Sequence, residues 1–503
     1  MFSNWGLLTD LVGVIIAAFA IIIAYYKWTF GYWKQKNIPY FPPSIPFGNL
    51  ENLFTATSNI GVQVKHFYDE MRHNKWKHGG LFFLANPTYV VVDLEYVKNV
   101  LTKDFQYFVD RGVYYNEEVD PIGAHLFALG GPKWRNLRTK LTPTFTSGKM
   151  KMMFQTLVDC EVNLVKKIEA KRKTPIDIKD VLGCFTADII GSCAFGLNCN
   201  TFEEEDSPFR KYGKKVFAGS TLQRLQVSIF MNFPRLAKFL QMRQIPKDIG
   251  DFYSKVVTDN VEYREKNNFT RKDFMQLLID MKNNKSEGDG NSLTLDEITA
   301  QCFVFFIAGF ETSSTTMTFA LYELSKNQEL QEKVRTEIET VLAKYDGKIT
   351  YEAIQDMKYM NQVLNETLRK YPPLPFITRQ CVKDYKIPDQ DIIIENGTRV
   401  IIPILGIHYD PEYYPNPDKF DPERFSEENV KNRHNYAHIP FGEGPRICIG
   451  LRFGLMQSKV GLTSLLRKYR FKLNKKTKEP IKFQVKSATL AAEGEVWLDA
   501  EKL

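Results

Sequence analysis

The stretch from Thr294 to Ser325 constrains the fold of this chain more than any other segment. Thr294-Leu295-Asp296-Glu297 has the form of a capping box, in which the threonine hydroxyl and the glutamate carboxylate satisfy each other's backbone amides at a helix start. The pattern beyond it is helical to about Ser325, on the order of 45 Å at about 1.5 Å per residue. From Gln301 to Phe310 it is apolar nearly all round, which predicts a helix passing through the interior with protein on every side. A chain of 503 residues, 44% hydrophobic and without a long disordered tract, can then form one large domain around that helix. Glu311 and Thr312 place a carboxylate and a hydroxyl in this apolar setting, and such groups need a reason to be there. Packing supplies one reason, with Thr312 bonding back to the Ala308 carbonyl and Glu311 capping a neighbour. Chemistry supplies another.

The amino terminus carries a second constraint. Residues 11–24 contain no polar side chain, and Trp5, Tyr25, Tyr26 and Trp28 flank them like interfacial aromatics, so the stretch can span a bilayer. A cleaved signal peptide would have positive charge ahead of the apolar run. Here Asp10 precedes it and Lys27, Lys34 and Lys36 follow, which favours a retained anchor with the body on the cytosolic side. The prolines of residues 39–48 rule out a helix and favour a stiff extended hinge. The expected division is an anchor over 1–28, a linker with hinge over 29–60 and a body over 61–503.

Lys and Arg number 67 against 59 Asp and Glu, and the +8 excess is spread out, without a basic arm. That speaks against nucleic acid and for an acidic protein or an anionic membrane surface. Seven cysteines without a C-x-x-C pair, in a reducing compartment, predict no structural disulfide.

Along the body, residues 81–84 and 89–92 read as strands around an Asn86-Pro87 turn, and 94–101 as a helix. Residues 149–282 are almost wholly helical in pattern, and 282–292 form a polar loop. Met360, Val363, Leu364, Leu368 and Tyr371 mark a helix stopped by Pro372-Pro373, with Glu366 and Arg369 on one face. Prolines at 403, 411, 415, 417 and 422 mark an irregular region before Phe441. The fold class is mainly α with small β-sheets, α+β.

The most specific motif is Phe441-Gly442-Glu443-Gly444-Pro445-Arg446-Ile447-Cys448-Ile449-Gly450, followed by a helical pattern. A cysteine just before a helix start feels the positive end of the dipole, which favours thiolate over thiol. Gly444 and Gly450 permit turns that a Cβ would obstruct and let the backbone lie close to a flat cofactor. A buried packing cysteine is the plain alternative for any single thiol.

This motif resembles the cysteine signature F-x-x-G-x-R-x-C-x-G of the cytochrome P-450 family and matches it at every restricted position. The resemblance extends in order through Trp134-x-x-x-Arg138, Ala308-Gly309-Phe310-Glu311-Thr312, Glu366-x-x-Arg369 and Pro422-Glu423-Arg424-Phe425. It implies a helix-rich haem domain in which Cys448 is the axial ligand of haem b iron and Phe441 belongs to the haem loop. Trp134, Arg138, Arg379 and Arg446 would hold the propionates, with Arg111 a further candidate. It implies that Gly309 lets the central helix open, that Thr312 holds a proton-delivering water chain and that Glu311 feeds it. Glu366, Arg369 and Arg424 would form a buried network that is structural. Phe108, Phe127, Phe303, Phe306, Ala308 and Phe376 are candidate substrate contacts, from the family's variable segments at 108–127, 200–239, 303–308, 374–377 and 487–490.

The implied activity is a monooxygenase acting on a small apolar substrate with O2, two electrons and two protons. No flavin or nicotinamide fingerprint is present, so the resemblance points to an NADPH-dependent flavoprotein reductase, with cytochrome b5 as a second donor. Lys133, Arg135 and Lys140 could form a basic patch that steers acidic carriers. The wording of residues 305–313 and 440–457 looks most like insect microsomal enzymes of the endoplasmic reticulum that oxidise plant toxins and insecticides. The hinge departs from the family's common P-P-G-P form. Two other readings stand: a haem-thiolate isomerase or dehydratase acting on peroxides without a reductase, and a haem-binding membrane sensor with no catalysis.

Overall fold

In the computed structural model the central helix is Leu295–Lys326, capped as its first residues predict. The Thr294 hydroxyl accepts the Glu297 N–H at 3.1 Å, and the Glu297 carboxylate accepts the Thr294 N–H at 2.8 Å. The structure describes residues 3–52, 54–204, 207–217, 220–283 and 292–503, without the side chains of 3–8 and 221. The loop expected over 282–292 lies almost wholly outside them.

Burial along the central helix differs from the pattern-based expectation. Every residue from Ser313 to Ser325 is buried, whereas Val304, Phe305, Ala308, Gly309 and Thr312 are at least partly open. The helix is enclosed along its second half by Ile178–Ile190, Leu451–Leu466 and Lys358–Lys370, and along its first half one stripe faces a cavity. Apolar side chains there signal a wall as readily as a core, because both exclude charge.

The helices dominate and the sheets are small. One has four strands in the order His78–Phe83, Asn86–Val91, Arg399–Ile402, Ile377–Gln380. Its first and last pairs are antiparallel and its middle pair is parallel. The turn placed at Asn86-Pro87 lies two residues earlier. Asn86 pairs with Phe83, and the chain reverses at Leu84-Ala85, with Leu84 at φ +54. Pro87 is tolerated because the parallel partner joins only from Thr88 onward, so the missing donor removes no bond on that side.

The apolar helix Ser3–Thr29 is long and apolar enough to cross a membrane, and the body does not cover it, which makes it a candidate anchor. The segment after it is docked rather than loose. Trp33 is fully buried over Gly80, where a Cβ would approach its ring to 2.4 Å, and its indole N–H bonds the Leu81 carbonyl at 3.0 Å. Gly80 N–H bonds the Pro39 carbonyl at 2.8 Å, and Tyr40 bridges to Gly80. The proline segment thus lies along the sheet edge, where its missing donors matter least.

Below the sheet, Glu366 and Arg369 form a fully buried bidentate pair at 2.7 and 2.9 Å. Arg369 also donates to the carbonyls of His408 (2.9 Å) and Pro417 (2.8 Å). Glu366 accepts the Asp421 N–H at 2.9 Å, and Arg424 Nε stands 3.5 Å from it. The irregular proline-rich segment is therefore held by charge-assisted bonds instead of its own secondary structure. Glu366→Ala should lower stability by about 3 to 5 kcal/mol, since it strands a buried guanidinium. Arg424→Ala should cost less, because its contact is longer and its side chain reaches the surface. Thermal melts of the two variants should preserve that order.

Candidate active site

The segment 441–450 is a closed loop ahead of the helix Leu451–Leu466. The Cys448 N–H bonds the Phe441 carbonyl at 2.9 Å, and the Ile447 N–H bonds the Gly444 carbonyl at 3.0 Å. Gly444 has φ +74, and a Cβ on it would stand 1.9 Å from the Leu101 carbonyl, so the loop is clamped onto the turn Asn99–Lys103. Cys448 exposes its sulfur, yet only to a cavity of about 440 Å³ enclosed within the body.

This enclosure modifies the expectation for the thiol. Burial pushes it up, while the Gly450 N–H, Arg111 and Arg138 pull it back down. The helix-start effect is thus outweighed unless a cation sits on the sulfur, which would deprotonate it outright.

Trp134, Arg138, Arg379, Phe441, Arg446 and Arg111 all line the same cavity. The helix Gly131–Leu141 supplies Trp134 and Arg138, and the strand Ile377–Gln380 supplies Arg379. Arg138 donates to the Ile447 carbonyl at 2.9 Å, and Arg446 to the Leu129 carbonyl at 2.6 Å while lying over the Trp134 ring at 4.2 Å. Arg111 bonds the Phe127 and Arg446 carbonyls at 3.2 and 3.3 Å. Three buried guanidinium nitrogens, Arg379 Nε and Arg446 Nε and Nη1, have no partner at all. Among the described residues only Asp110 is a carboxylate within ion-pair reach of any of the four arginines, at 3.8 Å from Arg446. Burial, followed by repulsion from Arg111, pushes Arg446 down to about 9, and Arg379 falls well below its usual range for the same reasons.

Such a cluster calls for an anion with more than one charge. Another part of the lining is apolar, including Phe145, Met153, Ile190, Phe274 and Phe305. Gly450 also lines the cavity, and a Cβ there would meet no atom within 4 Å, so space is kept beside the backbone. Lined by arginines, by apolar side chains and by Cys448, the cavity fits a flat amphiphilic dianion such as haem.

Across it runs the central helix. Thr312 lines the cavity, and its hydroxyl donates to the Ala308 carbonyl at 2.6 Å, leaving its lone pairs as acceptors. Glu311 is not on the cavity wall and accepts a long bond of 3.4 Å from Thr315. The packing contacts expected of an ordinary Glu-Thr pair are therefore both present. Gly309 opens nothing in this structure, since the helix is continuous. It makes room for Ile190, whose Cδ1 a Cβ would meet at 2.4 Å.

Of the candidate substrate contacts, Phe127, Ala308 and Phe376 line the cavity. Phe108, Phe303 and Phe306 do not. Phe108 packs on Tyr385 at 4.8 Å, Phe303 on Tyr253 at 5.2 Å, and Phe306 on Phe209 at 5.6 Å. Helical spacing explains two of these, because Val304, Phe305 and Ala308 take the cavity stripe and turn 303 and 306 into the core. Among the described residues none of 200–239 reaches the wall, whereas Leu374–Ile377 and Ala488 do. Sequence reading overlooked Phe145, Ile190 and Phe274, which carry no local signal, and Gln457, whose amide donates to the Gly309 carbonyl at 3.3 Å.

The family model for cytochrome P-450 matches residues 42–496. The chain belongs to the cytochrome P-450 family. It is 45% identical over 478 residues to a probable cytochrome P-450 6a23 of Drosophila melanogaster, covering 94% of this chain and 95% of the relative. It is 44% identical over 496 residues to cytochrome P-450 6a8 of the same fly (97% and 98%). It is 42% identical over 491 residues to cytochrome P-450 6A1 of Musca domestica (96% and 96%). P-450 membership supports a monooxygenase and implies a haem with its iron.

Two glycines separate loop support from cofactor space. Gly444→Ala should lower the melting temperature even without haem, because backbone must move. Gly450→Ala should leave the haem-free melt unchanged and lower the haem content of purified protein, because its Cβ meets only the cavity. Equal effects of the two would contradict this division.

Proposed function

We propose that this chain is a membrane-anchored haem-thiolate monooxygenase in which Cys448 is the axial iron ligand. One observation carries the reading: a single cavity is lined by Cys448, by Thr312 and by Arg379 and Arg446, which keep unpaired guanidinium nitrogens. Haem, when bound, supplies the oxidation chemistry, and a thiolate ligand favours O–O cleavage over oxygen carriage.

The chain's own residues do the rest. Arg138, Arg379, Arg446 and Arg111, with the indole of Trp134, orient the propionate edge and exchange desolvated charge for ion pairs. The apolar side chains of Phe145, Phe274 and Phe305 exclude water from the part of the cavity that they line. Thr312 holds a water through its free lone pairs, and rotation of its hydroxyl away from Ala308 turns it into a donor toward the cavity. Glu311 replenishes that proton from beside the wall, after its side chain turns from Thr315. Phe127, Ala308, Phe376 and Leu374 hold a small apolar substrate. The hydroxyl supports oxygen activation over peroxide rearrangement, which needs no such group.

Electrons come from an NADPH-dependent flavoprotein reductase, with cytochrome b5 as a second donor, and the apolar helix anchors the chain in the endoplasmic reticulum membrane. Of the basic patch, Lys133 is paired with Glu117 at 2.6 Å, so steering rests more on Arg135. The role that fits this reading is oxidation of plant toxins and insecticides, as the resemblance of residues 305–313 and 440–457 implies.

Reduced wild type under carbon monoxide should show the thiolate-type Soret shift, and Cys448→Ala should lack it. Persistence of that shift in the variant overturns the ligand assignment. Thr312→Ala should keep the spectrum while diverting at least about tenfold more electrons to peroxide per product, the scale of one lost proton donor. Coupling as tight as wild type would remove Thr312 from proton delivery.

A further inference from the structure

Asp110 has no part in the cysteine signature or in the arginine pattern, yet three pieces of the cavity wall meet on it. Its backbone carbonyl accepts the Gln380 N–H at 2.7 Å, next to Arg379. Its Oδ1 accepts the Gly131 N–H at 2.6 Å, at the first residue of the helix that carries Trp134 and Arg138. The same oxygen stands 3.8 Å from Arg446 Nη2. The fit around it is close, since a Cβ on Gly130 would come within 2.6 Å of Oδ2. Among the described residues it is the one carboxylate within ion-pair reach of any of the four arginines, through Arg446 alone, in a site where guanidinium nitrogens of Arg379 and Arg446 lack partners.

We propose that Asp110 is a positioning residue that balances the arginine cluster, and that its negative charge lowers the readiness of the site to accept an electron. The inference rests on the haem reading above. The step it biases is the addition of one electron to ferric haem to give ferrous haem, with the electron drawn from an external donor protein and no bond to Asp110 made or broken. Four cations beside the cofactor favour the reduced form, and one fixed anion among them opposes it. The side chain is 28% exposed, so solvent screens the effect and the expected change is several-fold in the reduction equilibrium, not orders of magnitude.

The test uses full-length holoenzyme and a mediated spectroelectrochemical titration without substrate. Asp110→Asn keeps an acceptor for Gly131 and removes the charge, so its midpoint should move to more positive potential, favouring reduction several-fold. Asp110→Glu restores the charge and should return the midpoint toward wild type. The carbon monoxide spectrum should stay thiolate-type in all three proteins. An unchanged or more negative midpoint in Asp110→Asn overturns the proposal. Should that variant lose haem, Asp110→Ser is read in the same way. Loss of haem from both neutral variants but not from Asp110→Glu would assign Asp110 a purely structural role and also overturn it. Wild type without haem would instead sink the underlying haem reading.

Discussion

The buried pair between Glu366 and Arg369 is the interaction on which the architecture of the site depends. Between the short helices Ile404–His408 and Pro422–Phe425 the chain is irregular, and the carbonyls of His408 and Pro417 are satisfied by the Arg369 guanidinium. His408 passes that support on, accepting the Ile439 N–H at 3.1 Å, and Tyr414 bonds the Ala437 carbonyl at 3.0 Å. These residues lead directly into the loop that presents Cys448. A buried ion pair is weak evidence for stability as such, because desolvation offsets its attraction. Here its value is positional, since Arg369 also donates to the His408 and Pro417 carbonyls and Glu366 accepts the Asp421 N–H.

The cavity shows the reverse situation, with charge left unsatisfied. Arg379 and Arg446 are desolvated, lie near Arg111, and keep nitrogens without partners. An apoprotein built this way carries a standing electrostatic cost that a dianionic ligand removes, so binding and folding stability are linked. The apolar part of the lining suits the uncharged part of an amphiphilic ligand, and the arginines suit its charged edge. The sulfur completes the arrangement, because the burial that raises its proton affinity also excludes water competing for a metal.

Much of this was legible from residue order. The capping box at Thr294, the stop at Pro372, the apolar amino terminus and the loop before Leu451 all follow from local rules about backbone donors, fixed φ angles and burial. That Cys448, Trp134, Arg138, Arg379, Phe441 and Arg446 share one site was implied by the resemblance of the motifs, in their order, to those of the cytochrome P-450 family. The partnership of Glu366 with Arg424 was also implied by motif order, although the two lie far apart in the chain.

What only the tertiary structure decided is how side chains of one type divide between wall and core. Phe305 and Phe306 are neighbours in sequence and equally apolar, and only the packing of Phe195, Phe209 and Tyr253 around Phe306 and the cavity beside Phe305 assigns one to each. The same holds for Gly309, needed by Ile190 and not by an opened helix, and for the proline segment, docked on a sheet edge by Trp33 and Gly80. Local sequence encodes the backbone's hydrogen-bonding needs within a few residues. Shape complementarity and the sign of the electrostatic field are sums over groups distant in the chain, so they exist only once it has folded.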